Sequence, residues 1–292
     1  MRQLAPARPS HNHVQPRLSD RMMFPATLTC PRRQAALLVL ACSAQFAHAD
    51  DGDVINPDRP NVANSSQVVG DGRLQLEIGV NWDRQRNDDL HLRTLSTPAL
   101  LRIGLGDTTE LRIETDGRSI EHELDPATRA RTTTAGWNAT SIGFKWRFAD
   151  GEGVYPALGL IGAMALPSGS SALRVKGVLP QLVLAAEWDL PKGWSLAVTP
   201  GAGADVDDDG ARYHYGILAA SLGKKFTERV QGFLEVAAPQ IASASHGGDR
   251  MQVDAGVSWR LNRNCQVDAM VVHGLNRHTP DLSLAFGLSV RR

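Results

Sequence analysis

Three cysteines in 292 residues are too few for a disulfide-dense scaffold. Long apolar runs are absent as well. The longest, Ala157 to Leu166, has ten residues between Pro156 and Pro167, well short of the 18 or more that a transmembrane helix needs. Net charge is also missing: 31 Lys+Arg stand against 31 Asp+Glu, so the basic excess of a nucleic-acid binder is not there. Two classes survive these exclusions: a soluble globular protein, and a β-barrel, whose strands cross a membrane without long apolar runs.

The first 49 residues read as processing. Arg32-Arg33 precede the apolar stretch Ala35–Cys42, and Ala47-His48-Ala49 has the small-x-small form of a signal-peptidase site, so cleavage is expected after Ala49. A short buried helix of a cytosolic domain is the alternative, and acylation at Cys42 is a further one. Met22 and Met23 stand at a more usual distance from the apolar stretch than Met1. The leader carries six arginines and one acid, Asp20, so the exported chain has 25 basic and 30 acidic residues, a net of −5. It keeps Cys265 alone and is unable to form an internal disulfide. The expected divisions are a leader (1–49), an N-terminal periplasmic segment (50–71) and a barrel (72–292).

From Gly72 onward the hydrophobic period is two. Leu74, Leu76, Ile78, Val80 and Trp82 alternate with Arg73, Gln75, Glu77, Gly79 and Asn81. Similar alternation runs through 95–103, 110–116, 141–148, 181–188, 252–261 and 282–290. Weaker strands fall at 154–166, 194–204, 212–224, 229–238 and 265–273, giving twelve. Short connections (106–108, 150–153, 191–193, 227–228, 262–264) alternate with longer ones (84–91, 117–136, 167–177, 205–210, 239–248, 274–281). That regularity is foreign to a β-sandwich. It predicts an all-β fold: a transmembrane antiparallel up-and-down β-barrel of about 12 strands.

Aromatic placement supplies an independent test. Trp146, Tyr155, Trp188, Trp194 and Trp259 adjoin the short turns, and Trp82, Trp137, Tyr213 and Tyr215 adjoin the long loops, as two interfacial girdles would. Trp137 has the wrong parity for its strand. If the apolar faces meet lipid, the polar faces place Glu77, Arg102, Glu110, Arg112, Glu114, Lys145, Arg147, Glu187, Asp254, Arg260 and Asp268 in the lumen. Such charges either pair across strands and hold the barrel, or line a permeation path. Pairing is favoured because buried charges need partners, and it does not exclude a pore.

Motifs for other chemistry are weak. Asp205–Gly210 begins like an EF-hand loop, but Gly216 stands where the bidentate Glu belongs. His246, His273 and His278 lack zinc-site spacing. Cys265 has no expected base beside it, and Ser168-Gly169-Ser170-Ser171 is not a nucleophile elbow. No catalytic residue, metal ligand or cofactor site is therefore expected.

Several stretches resemble a bacterial family named for the meta-cleavage pathway of phenol degradation, whose members are usually called outer-membrane transporters. The resemblance rests on Pro57-Asp58-Arg59-Pro60-Asn61, Gly72–Gly79, Arg93–Leu105 with Thr109–Arg112, Gln266-Val267-Asp268, Gly274-Leu275-Asn276 and Gly287-Leu288-Ser289. It implies a barrel tied to uptake of aromatic or other small apolar compounds, and brings no catalytic motif with it. The terminal Val290-Arg291-Arg292 departs from the aromatic ending that barrel-assembly machinery reads in many outer-membrane barrels. The leading expectation is a channel or transporter for small apolar or aromatic compounds. Its expected partners are outer-membrane lipid and the assembly machinery, with no nucleic acid. A structural or adhesive barrel, and an outer-membrane lipid enzyme, are the alternatives. Oligomeric state is not fixed by these residues.

Overall fold

The computed structural model describes residues 54–292 except 88, 89 and 208, so the leader and its cleavage site lie outside the described residues. Fifteen strand segments follow one another: β1 (Leu74–Arg86), β2 (His91–Ser96), β3 (Ala99–Gly104), β4 (Thr109–Thr115), β5 (Arg118–Leu124), β6 (Arg131–Trp137), β7 (Thr140–Ala149) and β8 (Ala157–Ala165). The remainder are β9 (Leu179–Leu190), β10 (Trp194–Val206), β11 (Arg212–Lys225), β12 (Val230–Ile241), β13 (Arg250–Asn262), β14 (Cys265–Gly274) and β15 (Leu282–Arg291). All pair antiparallel, and β1 pairs with β15 from Gln75↔Arg291 to Arg84↔Leu282, which closes the sheet into a barrel.

Fifteen segments make twelve crossings because three crossings are each broken once. β2 and β3 both lie along β1, divided at Thr97-Pro98; β4 and β5 divide at Asp116-Gly117, and β6 and β7 at Asn138-Ala139. The breaks are neighbours: the Thr97 N–H donates to the Arg118 carbonyl, and the Asn138 N–H donates to the Gly117 carbonyl. Pro98 has no N–H for the ladder, and Gly117 takes a left-handed φ of 65°. Parity slips by one residue at the second and third breaks. Leu111 and Ile113 face outward on β4, as do Arg118 and Ile120 on β5; Trp137 faces outward on β6, and Ile142 and Phe144 on β7. This slip accounts for the anomalous parity of Trp137, whose side chain is exposed on the outer wall.

The breaks also leave a seam. β7 pairs with β8 from Ser141↔Ala165 downward, whereas β6 pairs with β5 alone. Among the described residues no strand lies on the other edge of β6. The loop after β8 closes the base of the gap, with the Trp137 N–H donating to Ser170 Oγ (2.8 Å) and the Ser170 N–H to the Trp137 carbonyl (2.9 Å). Residues 117–136, expected as one long loop, are instead largely the β5–β6 hairpin.

Outward-facing Leu76, Val80, Leu182, Leu218, Leu234, Val236, Val257 and Phe286 form an exposed apolar wall. Trp146, Trp188, Trp194 and Trp259 lie around its short-turn end, and Trp82 and Trp137 lie on adjacent rows of one patch towards its loop end, all outward by register, with Tyr155 exposed in the β7–β8 turn. The Trp188 indole N–H bonds the Val154 carbonyl in that turn, and the Lys224 ammonium sits 4.9 Å above the Trp194 ring. Tyr213 and Tyr215 depart from the girdle expectation. Both share the parity of inward Ile217 and Ala219, and Tyr215 lies over Gly203, where a Cβ would come within 2.5 Å of its ring. Glycine opposite an aromatic residue makes room for the ring inside the barrel. At the C-terminus, the Arg292 N–H and carbonyl both pair with Leu74, so Arg291-Arg292 belong to the closing ladder.

Leu218 stands midway along β11 on the outer wall. Leu218→Arg is therefore expected to cost about 2–4 kcal/mol and to lower the urea midpoint in vesicles, with Leu218→Ile unchanged. Equal midpoints for all three proteins would contradict the lipid-facing assignment.

Candidate functional site in the barrel lumen

The segment expected in the periplasm occupies the lumen. From Val54 to Gly70 it is irregular chain, with Ile55, Ala63 and Val69 nearly fully buried. Irregular backbone away from water must find hydrogen-bond partners, and here the wall's side chains supply them. Glu77 accepts the N–H groups of Asp58 (3.1 Å) and Arg59 (3.1 Å). Glu235 takes those of Val62 and Ala63, one on each oxygen, at 2.8 Å. Thr199 Oγ1 accepts the Asn64 N–H, Glu187 accepts the Ser66 N–H and hydroxyl, and Glu110 accepts the Val69 N–H. Carbonyls are served too: Arg102 donates to the carbonyls of Asn56 (3.0 Å) and Gln67 (2.7 Å). The chain thus touches the inner wall strand after strand and lies across the lumen towards its short-turn end.

One ionic cluster anchors this plug. Arg102 bonds Glu77 (3.1 Å) and Glu110 (2.8 Å), Arg112 bonds Glu110 (2.9 Å), and all are buried. Asp58 enters from the plug, 2.5 Å from Arg112 and 2.7 Å from Lys145, with Arg102 at 3.8 Å. The wall alone contributes three cations and two carboxylates, so Asp58 balances the cluster at three against three. Burial by itself would raise the Asp58 pKa; the positive charges of Arg102, Lys145 and Arg112 overcome it and hold the carboxyl well below the usual carboxylate range.

Arg59 is placed by absence of bulk. Gly79 and Gly287 are inward cross-strand partners, and a Cβ on either would come within about 2.6 Å of the Arg59 guanidinium. In that slot Arg59 lies 3.5 Å from Asp268 and donates to the Phe286 carbonyl.

All eleven candidate lumen residues face inward by register. Glu77, Arg102, Glu110, Arg112 and Lys145 converge on Asp58. Glu187 and Asp268 hold other parts of the plug, and Arg147 bonds Gln67 (3.1 Å) and Asp150. Asp254 faces Glu235 across β12–β13 and accepts from Gln252. Arg260 lines a polar cavity of about 130 Å³ with Arg59, Ser195, Ser221, Lys225 and Gln266. Glu114, two residues from Arg112 on the inward face of β4, is exposed to the lumen on the loop side of the cluster; among the described residues it makes no ion-pair contact there but lies within electrostatic reach of Arg112. Sequence reasoning missed Asp58, Arg59, Thr199 and Glu235 as lumen groups. Glu235 shares the inward parity of Phe233 and Ala237 on a weak strand, and that was its only signal.

Beyond the plug the lumen changes character. Ile161, Val183 and Ile217 form a buried apolar cluster facing inward, with Tyr215 packed on it and its hydroxyl 3.5 Å from Gln181. Tyr213 stacks on His246 at 4.7 Å, joining the β11 wall to the β12–β13 loop. Among the described residues no group of three or more His, Cys, Asp or Glu is arranged to hold a metal ion.

A closed antiparallel barrel with an apolar exterior, outward tryptophans towards both ends and a lumen occupied in part by its own N-terminal segment defines a transmembrane outer-membrane-type β-barrel. The chain belongs to the family described by the MetA-pathway of phenol degradation, whose model matches residues 57–291. Among solved structures it is similar to the COG4313 outer membrane channel from Pseudomonas putida F1, at 11% identity and a TM-score of 0.59 over 82% of this chain and 100% of that one. It is also similar to the translocator domain of autotransporter NalP from Neisseria meningitidis, at 11% identity and a TM-score of 0.50 over 75% and 87%. At these identities the likeness shows the fold. No curated protein matches.

Asp58→Asn leaves the buried cluster with an unbalanced positive charge, an expected loss of about 3–5 kcal/mol. A carboxyl with a depressed folded pKa contributes stability above its unfolded pKa and loses it as pH falls through the folded one. The stability gap between wild type and Asp58→Asn should therefore persist from pH 8 to about pH 4 and shrink only in stronger acid. A gap that vanishes near pH 6 would contradict the cluster.

Proposed function

We propose that this protein is an outer-membrane channel for small apolar or aromatic compounds, closed to free aqueous diffusion by residues 54–70. The observation that carries the proposal is the division of the lumen: an ionic plug at the short-turn end, and beyond it a buried apolar cluster of Ile161, Val183 and Ile217 with Tyr215 packed on it. A polar solute entering from the loops meets a plug whose amides are already bonded. An apolar solute that enters among these side chains sheds water against them, worth about 25 cal/mol per Å² of apolar area buried. The unpaired edge of β6 lies one crossing from that cluster, and it offers a route sideways through the wall. The likeness to a COG4313 outer membrane channel supports a barrel of this kind. Residues 1–49 serve as the export signal, cleaved after Ala49, and the assembly machinery inserts the remainder into the outer membrane.

Uptake of a fluorescent naphthalene by cells producing the protein should rise several-fold over cells without it. Ile161→Asn with Ile217→Asn should return uptake to background while the barrel remains heat-modifiable on a gel. Liposomes containing either protein should swell in arabinose no faster than empty ones. Rapid arabinose swelling without naphthalene uptake would refute the proposal.

A further inference from the structure

At the loop end, the half of β1 beyond Val80 forms a four-stranded extension with β2, β5 and β6, and its two faces carry opposite charge. Register places Arg84, Arg86, His91, Arg93, Arg118, His122 and Arg131 on the outer face, with no carboxylate among them. The inner face carries Asp83, Glu121 and Glu123 and no basic residue. A merely solvated hairpin would not need such segregation.

The outer face is ordered in rows. Trp82, Leu95, Ile120 and Ala135 lie side by side in an apolar row that continues the lipid-facing wall through Leu284. Two residues further along, roughly 7 Å, come Arg84, Arg93, His122 and Thr133; the next row is Arg86, His91, Leu124 and Arg131. Arg84 and Arg93 are direct cross-strand partners, a juxtaposition of like charges that destabilises a sheet unless an anion lies between them. Among the described residues none of the five arginines has a carboxylate within salt-bridge distance, and the buried Arg84 Nε has no hydrogen-bond partner.

We infer that this face binds a phosphorylated glycolipid of the outer leaflet, with its phosphates on the two basic rows and its acyl chains along the apolar row beneath. Short turns mark the periplasmic end of outer-membrane barrels, so the basic rows stand at the outer leaflet. Arginine's planar fork suits phosphate, and Arg84 with Arg93 offers two forks on adjacent strands. The apolar row directly below selects a ligand with a lipid tail over a soluble acidic protein. The inner acids repel the same headgroup, so binding is confined to the outer face.

The test is titration of the refolded, detergent-solubilised protein with bisphosphorylated lipid A, its dephosphorylated form, its deacylated phosphosugar and polyglutamate. Bisphosphorylated lipid A should bind tightest, and raising the salt concentration should weaken it steeply. Arg84→Gln with Arg93→Gln and Arg131→Gln should weaken it by at least about tenfold, and Glu121→Gln with Glu123→Gln should not. Should the triple variant fail to fold, the wild type's preference among the four probes and its salt dependence decide the matter. Equal binding of the dephosphorylated lipid, binding indifferent to salt, or preference for polyglutamate or the deacylated sugar would overturn the inference.

Discussion

The structure depends on one charge delivered from outside the wall. Arg102, Arg112 and Lys145 face Glu77 and Glu110 in a space nearly without water, and five wall charges do not balance. Asp58 supplies the sixth, bonded to Lys145 through both oxygens. An unpaired buried charge is far costlier than a paired one, so the barrel's interior and its N-terminal segment each require the other. With Asp58 fixed, the neighbouring amides fall onto Glu77, and Glu235, Glu187 and Glu110 secure the rest of the segment. The wall glutamates thus do for an irregular chain what a neighbouring strand does in a sheet.

The wall was legible because lipid enforces parity. Alternation at Leu74–Trp82 or Val253–Leu261 needs no knowledge of partners: one face must be apolar, so the opposite face, with Glu77 or Asp254, must be the lumen. Parity failed where the chain breaks register. The hydrophobic period does not mark the slips at Asp116-Gly117 and Asn138-Ala139, yet each exchanges the faces of the strand after it, so Trp137 has the wrong parity and 117–136 reads as a loop. Tyr213 and Tyr215 misled for a related reason, since nearness to a strand end does not say which face a ring occupies; Gly203, which admits Tyr215, lies on a different strand. The plug was illegible altogether. Residues 54–70 have no period, and the wall side chains that accept their amides lie 18 to 173 positions away.

These features divide the labour of the lumen. At the ionic end, the charges and amides of plug and wall are already paired with one another. The apolar end, around Ile161 and Tyr215, stands close to the crossing where β6 lacks a second partner. Arg84 and Arg93 of the same strands occupy the level just above the Trp82 row, at the loop end of the apolar wall. One irregularity, three adjacent strand breaks, therefore creates both the unpaired edge and the polarised extension.

Amide hydrogen exchange at the plug tests the central claim most directly. If wall carboxylates hold the segment, the amides of Asp58, Arg59, Val62, Ala63 and Val69 in the refolded barrel should be protected nearly as long as those in the middle of β11 and β12. Exchange of all five at the rate of exposed loop amides, with the strands still protected, would contradict the account.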